Sequence, residues 1–267
     1  MEKGDIVFLE YDAWIVDVGS DKNDLFDTTN EEVAKEADMH EEKAVYKPRP
    51  FVAGVEGMHK GLGEALLEAE VDKEYNIEIT PEQAFGERDA KLVEVHSKAE
   101  IMRLPEYRKE KGKDPKEPAP GQEINLKGKM GRITMVTAGR IRVDFNHRLA
   151  GRTLKYKYKI TSVAKTPEEK VKAILSIHYG REDDFGLEID DKTAKLVLAD
   201  LCKYDAYWHQ VKIRVVSDLR EYAGIDTIQF IEEYMKRKPV EEETVEVEED
   251  KAEEKEQVKE EPEAGPE

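Results

Sequence analysis

Cysteine is nearly absent. The single thiol, Cys202, leaves no intramolecular disulfide in 267 residues, which fits a reducing compartment or a thermophile with little use for thiols, and it reads as a small buried apolar residue. Long apolar runs are missing too: none approaches the roughly 18 residues a spanning helix needs. The first residues, MEKGDIVFLEYDAW, carry acids inside their apolar stretch and do not read as a signal peptide. A cytoplasmic protein with no membrane partner is expected. Basic charge is in deficit, with 43 Lys and Arg against 61 Asp and Glu. The stretch from Glu241 to Glu267 holds fourteen acids against three lysines, so it carries −11 of the formal −18. Nucleic acid is therefore excluded as a general partner, because phosphate contact needs a basic face.

Familiar catalytic signatures are also lacking. There is no phosphate loop, no G-x-S-x-G elbow and no paired-histidine spacing for zinc. His40, His59, His96, His147, His178 and His209 are scattered and read as structural or surface residues. Gly61-Leu62-Gly63 could open a dinucleotide fingerprint, but Leu66 takes the third glycine position and no strand directly precedes it. No metal site and no cofactor is expected.

What is present is strand alternation. Val7, Leu9, Tyr11, Ala13 and Ile15 share one face of a first strand, with Trp14 and Val16 making the other face partly apolar. Tyr75, Ile77 and Ile79 alternate with polar residues. Leu154, Tyr156, Tyr158 and Ile160 alternate with three lysines, the cleanest period of two in the chain. Between these runs, Gly57 to Ala69 suits one short helix, with Leu62, Leu66 and Ala69 on a stripe. A sheet packed on a short helix follows.

The chain is long for one domain, and composition divides it. From Glu87 to Ile141 there are thirteen basic and nine acidic residues, a local +4. Gly112 to Gly121 is a Pro-rich loop, and strand-like runs follow at Glu123–Lys127, Arg132–Thr137 and Arg140–Phe145, the last two joined at Ala138-Gly139. This stretch reads as a β-rich module inserted between strands of the main sheet. Thr166-Pro167-Glu168-Glu169 is a capping-box signature that opens a C-terminal unit. Val171, Ile174, Leu175 and His178 follow one helical face there. Leu187–Asp190 and Lys195–Leu198 read as strands, Trp208 to Tyr222 as a long helix, and Ile228 and Phe230 as a closing strand. At about 70 residues this unit is small for independent stability, so it should dock or dimerise. Tyr207, Trp208 and Tyr222 could seal a dimer or fill an internal core. Everything from Val240 on is acidic, lacks aromatics and is expected to be disordered.

Three motifs in order add a resemblance. Phe26-Asp27-Thr28-Thr29, then Val52-Ala53-Gly54 leading to Met58-His59-Lys60-Gly61-Leu62, then Pro81-Glu82-Gln83-Ala84-Phe85-Gly86 resemble the FKBP-type peptidyl-prolyl isomerases. The inserted module and Asn146-His147-Arg148-Leu149-Ala150-Gly151 are similar to the SlyD-like branch, and the C-terminal unit to its long archaeal members. The resemblance implies an α+β fold: an FKBP antiparallel sheet wrapped on a short helix (1–86 and 142–164), an insert-in-flap domain (87–141), a C-terminal α/β domain (165–238) and an acidic tail (239–267).

It also implies a reaction that needs no nucleophile, namely cis-trans isomerisation of Xaa-Pro bonds in an apolar pocket. On this resemblance Tyr11, Phe26, Asp27, Phe85 and Tyr156 are the catalytic set, and Phe51, Met58, His59, Leu62 and Leu149 bind substrate, His59 through its backbone N–H. Without it the aromatics would read as core and Asp27 as a turn or cap residue. Two departures stand out: Phe85 replaces a usual tyrosine, and Arg49 falls where an aromatic wall is common. The resemblance further implies that the insert holds unfolded chains, through Ile101, Met102, Leu104, Met130, Ile133 and Met135, unless these fill the insert's own core. The partners would be unfolded or partly folded polypeptides with Xaa-Pro bonds, with homodimerisation through the C-terminal domain. The competing reading is a holding chaperone or dimeric scaffold whose isomerase pocket has weakened.

Overall fold

The computed structural model describes residues 1–16, 23–55, 60–107 and 117–234. The expected acidic tail lies outside them. Strand β1 (Ile6–Val16) buries Val7, Leu9, Tyr11 and Ala13 on one face, as its alternation dictates. Strand β2 (Asp24–Thr28) runs antiparallel to its second half, and helix α1 (Glu31–Glu36) starts where the Asn30 side chain accepts the Glu32 N–H. Strand β3 (Arg49–Val52) pairs with Ile6–Leu9, so β2 and β3 follow each other along the same edge of β1.

Helix α2 (Lys60–Glu68) then lays Leu62 and Leu66 onto the sheet, and β4 (Glu74–Ile79) follows. The two glycines flanking Leu62 have a packing role. A Cβ at Gly61 would lie 2.5 Å from Ile79, and one at Gly63 would lie 2.6 Å from the Val55 carbonyl oxygen. Only glycine lets the helix approach that closely. The apparent fragment of a dinucleotide motif is a helix–sheet contact.

The insert is a four-stranded antiparallel sheet. Strand β5 (Val93–Ser97) leads into the one-turn helix α3 (Lys98–Ile101), and β6 (Glu123–Leu126), β7 (Lys129–Val136) and β8 (Arg140–Asp144) complete the order β5–β8–β7–β6. Ile101, Tyr107, Ile124, Leu126, Ile133, Ile141 and Val143 form its own core. At its base Asp89 and Asn146 clasp: the Asp89 N–H donates to Asn146 Oδ1 at 2.8 Å, and Asn146 Nδ2 donates to the Asp89 carbonyl at 2.9 Å. The Gly151 N–H closes the neck on the Gly86 carbonyl at 2.8 Å, both glycines at positive φ.

The main sheet closes with β9 (Thr153–Val163), which pairs along the other edge of β1 and with β4, giving the order β2–β1–β9–β4. Beyond it, α4 (Pro167–His178) carries the capping box read from sequence. A small sheet follows: β10 (Gly186–Asp190), antiparallel to β11 (Thr193–Val197), then α5 (Ala206–Tyr222) crossing over to β12 (Thr227–Ile231), parallel to β11. The core of this unit includes Ile6 and Ala164 and rests on Phe8 and Val52. The C-terminal unit thus covers the start of the second face of β1, at Ile6 and Phe8, and solves by docking the small-core problem its length poses. Trp208 is fully buried between Tyr179, Phe185 and Phe230, which makes it a core residue and removes it from any dimer surface. Cys202 is buried in the same core. The whole is an α+β fold. Among the described residues no helix is long and apolar enough to cross a membrane.

Candidate active site

Within the β1–β2 ladder, Ala13 pairs with Asp27 and the next residue, Trp14, pairs with Leu25. Phe26 is therefore the extra residue of a β-bulge. A regular strand would send Phe26 and Asp27 to opposite faces; a bulge re-aims one of them. Here both serve the face that carries Tyr11 and Tyr156. The Phe26 ring meets Tyr156 edge-on at 6.1 Å, and the Asp27 carboxylate accepts the Tyr11 hydroxyl at 2.7 Å. Thr29 holds the end of the ladder: its Oγ1 accepts the Tyr11 N–H at 2.8 Å, and its own N–H donates to the Tyr11 carbonyl at 2.9 Å.

Around this pair the structure gathers Tyr11, Phe26, Phe51, Leu62, Phe85, Leu149 and Tyr156 into one apolar cluster. Tyr11 and Tyr156 lie 6.0 Å apart, and Tyr11 meets Phe51 at 5.7 Å in a T-shaped contact. Tyr11, Leu62, Leu149 and Tyr156 are buried, while Phe26, Phe51 and Phe85 are half-buried. The first four form a buried layer, and the three phenyl rings lie at its edge, partly open to solvent. Met58 and His59 lie outside the described residues.

Two residues that sequence reasoning set aside belong here. Arg49 Nη1 donates to both Asp27 oxygens at 3.1 and 3.0 Å and to Tyr11 Oη at 3.0 Å. The position read as a lost aromatic wall supplies instead the counter-ion of the site carboxylate. His147 stacks on Phe85 at 4.2 Å, and its Nδ1 accepts the Leu149 N–H at 3.3 Å. Desolvation and then the neighbouring Arg148 charge hold the imidazole below its ordinary pKa, in keeping with an accepting nitrogen. The spacing of Phe85 and His147 in sequence, with the insert between them, gave no signal of that stack.

The hydroxyls of this cluster are hard to ionise. Burial, followed by the Asp27 carboxylate, raises the pKa of Tyr11 and Tyr156, and burial with Tyr75 and Glu68 pushes Tyr158 up to about 12. A folded-state pKa above the unfolded one means the stabilisation is complete below the unfolded value, about 10, and is lost as pH rises past it. Between neutral pH and that value denaturant midpoints should stay level, and above it they should fall steeply. Tyr11→Phe with Tyr156→Phe should flatten that fall; an equally steep decline in the double variant would show that other groups cause it.

Among the described residues, an apolar, aromatic cluster with one carboxylate and no nucleophile meets the demands of prolyl isomerisation. Comparison with known proteins agrees. The model of the FKBP-type peptidyl-prolyl cis-trans isomerase family matches residues 1–102, that of the FKBP26 IF domain residues 105–149, and that of the FKBP26 C-terminal region residues 167–235. A short-type peptidyl-prolyl cis-trans isomerase of Methanocaldococcus jannaschii is 33% identical over 169 residues, covering 63% of this chain and 98% of the relative. The chain belongs to the FKBP-type peptidyl-prolyl cis-trans isomerases. The FKBP-type isomerase SlyD of Helicobacter pylori is 26% identical over 127 residues, 48% of this chain and 65% of that protein. The isomerase is thus SlyD-like, with an insert between the two parts of its FKBP sheet and a further unit behind it.

The insert residues named from sequence separate in the structure. Ile101 and Ile133 are fully buried in the insert core, so neither faces a client; that expectation is corrected by their packing. Met102 and Leu104 are partly buried against the same core. Met130 and Met135 are 60% and 45% exposed. The bulge between Ile133 and Met135 turns one inward and the other out. Val95, missed in the sequence reading, is 55% exposed; Arg142 is the β8 partner of both Val95 and Met135.

Proposed function

We propose that this isomerase works by burying the prolyl ring against Phe26, Phe51 and Phe85, with Asp27 fixing the peptide, while the insert holds unfolded chains nearby. Rotation about a prolyl bond crosses a barrier of roughly 18–20 kcal/mol and takes about 10–100 s unaided. The twisted amide has lost resonance and is less polar than either planar form. An apolar surface therefore favours it over the ground state, and each 1.36 kcal/mol of that preference is worth about tenfold in rate. No covalent step is required. The bulge that turns Phe26 and Asp27 to one side carries this reading.

For the insert, the supporting observation is the outer face of its sheet. Val95, Met130 and Met135 stand there among Arg132, Arg140 and Arg142. Flexible methionines accommodate many sequences, and arginines complement acidic stretches of a client. Clients would be unfolded or partly folded polypeptides with Xaa-Pro bonds. Replacing Val95, Met130 and Met135 together by serine should abolish suppression of aggregation of a reduced, unfolded protein and leave isomerisation of a short peptide unchanged. Undiminished suppression would remove this face from the proposal.

A further inference from the structure

A cleft of about 800 Å³ lies between β3 and α2 of the FKBP sheet and α4 and α5 of the C-terminal unit. Its volume is in the about 300–1,000 Å³ range of ligand sites. Arg49, Phe51 and Leu62 line it, so it is continuous with the isomerase cluster. Its charge is out of keeping with the chain. Lys43, Lys47, Arg49 and Arg214 face it against only Glu182 and Asp218, in a protein of net −18. Both acids are already engaged: Glu182 with Lys47 at 2.6 Å, and Asp218 with His178 at 2.7 Å. Arg49 is held by Asp27. Lys43 and Arg214 are exposed and have no ion-pair partner among the described residues.

We propose that this cleft takes the stretch of substrate chain flanking the proline and selects acidic side chains there through Lys43 and Arg214. The inference rests on the isomerase site and extends it. Continuity with Phe51 argues for the substrate as occupant, since a chain leaving the phenyl surface would enter the cleft. Recognition is by side chains, because Pro50 at the middle of β3 has no N–H to offer an added strand. The C-terminal unit thereby becomes one wall of an extended substrate groove.

The test uses the full chain and synthetic peptides with one Ala-Pro bond, carrying a run of glutamates or of glutamines on one flank, and each flank in turn. Exchange NMR at low ionic strength gives kcat/KM. We expect the glutamate peptide to be favoured about three- to tenfold on one flank, through KM, which is the scale of two exposed charge contacts. The variant Lys43→Glu with Arg214→Glu should lose that preference and turn over a bare tetrapeptide at the wild-type rate. Equal rates for the two peptides in the wild type, or an undiminished preference in the variant, would overturn the proposal. So would a variant that gains activity on the glutamine peptide, which would point to the chain's own acidic tail as occupant. Inactivity of the wild type on the tetrapeptide would instead count against the isomerase site itself.

Discussion

Asp27→Ala lowers kcat/KM on a short prolyl peptide by about ten- to a hundredfold, the loss of one charge-assisted hydrogen bond worth about 1.5–3 kcal/mol in the transition state. The carboxylate is the hub of the site. It accepts Tyr11 Oη at 2.7 Å and Arg49 Nη1 at about the same reach on both oxygens, 3.1 and 3.0 Å. Removing it leaves a buried hydroxyl without its acceptor and a guanidinium without its counter-ion. The fold itself should survive, because the apolar cluster beneath is untouched; a thermal melt separates the two effects. Arg49→Ala provides the contrast, since it keeps the carboxylate and the Tyr11 bond. Its activity should stay within about threefold of wild type, in line with the small net value of an exposed ion pair. Should Asp27→Ala match the wild type, the phenyl surface alone carries the rate and the carboxylate is structural.

The second large effect concerns the insert. Replacing residues 90–145 by a short Gly-Ser turn keeps the Asp89–Asn146 clasp and the Gly86–Gly151 neck. Short-peptide isomerisation should then change little. Catalysis of a proline-limited refolding reaction should drop by about a hundredfold, the lower end of what linking two binding modules contributes through effective concentration. The difference between the two substrates is the diagnostic quantity. A parallel fall on both would mean that the insert shapes the isomerase site, where His147 stacks on Phe85 just outside the clasp. No fall on either would leave the exposed Val95, Met130 and Met135 without a role in delivery.

Much of this protein follows from its sequence because the governing periods are local. The two-residue alternation of β1 and β9, the stripe of Leu62 and Leu66 on α2, and the Thr166 capping box each depend on neighbours a few residues away. The ordered motifs around Asp27, Gly61 and Phe85 were enough to name the family, and with it the cluster of Tyr11, Phe26, Phe51, Leu62, Phe85, Leu149 and Tyr156. Four short elements gave no such signal. β2 is interrupted by its bulge, β3 has four residues including a proline, and α1 has six. β5 inverts the usual pattern: it turns Val95 to solvent and tucks His96 inward between Glu94 and Glu100.

What only the tertiary structure decided is which way particular side chains point and what meets them from far along the chain. Ile133 and Met135 look alike in a strand; a one-residue bulge makes the first core and the second surface. Arg49 reads as a missing aromatic until β3 settles beside β1 and brings its guanidinium to Asp27, 22 residues away. Trp208 suits either an internal or a dimeric role by sequence; α5 packs it into the core that also holds Ile6. Alternation and capping are properties of consecutive residues, whereas bulges, ion pairs and docked faces depend on how separate elements share space, and no local pattern encodes that.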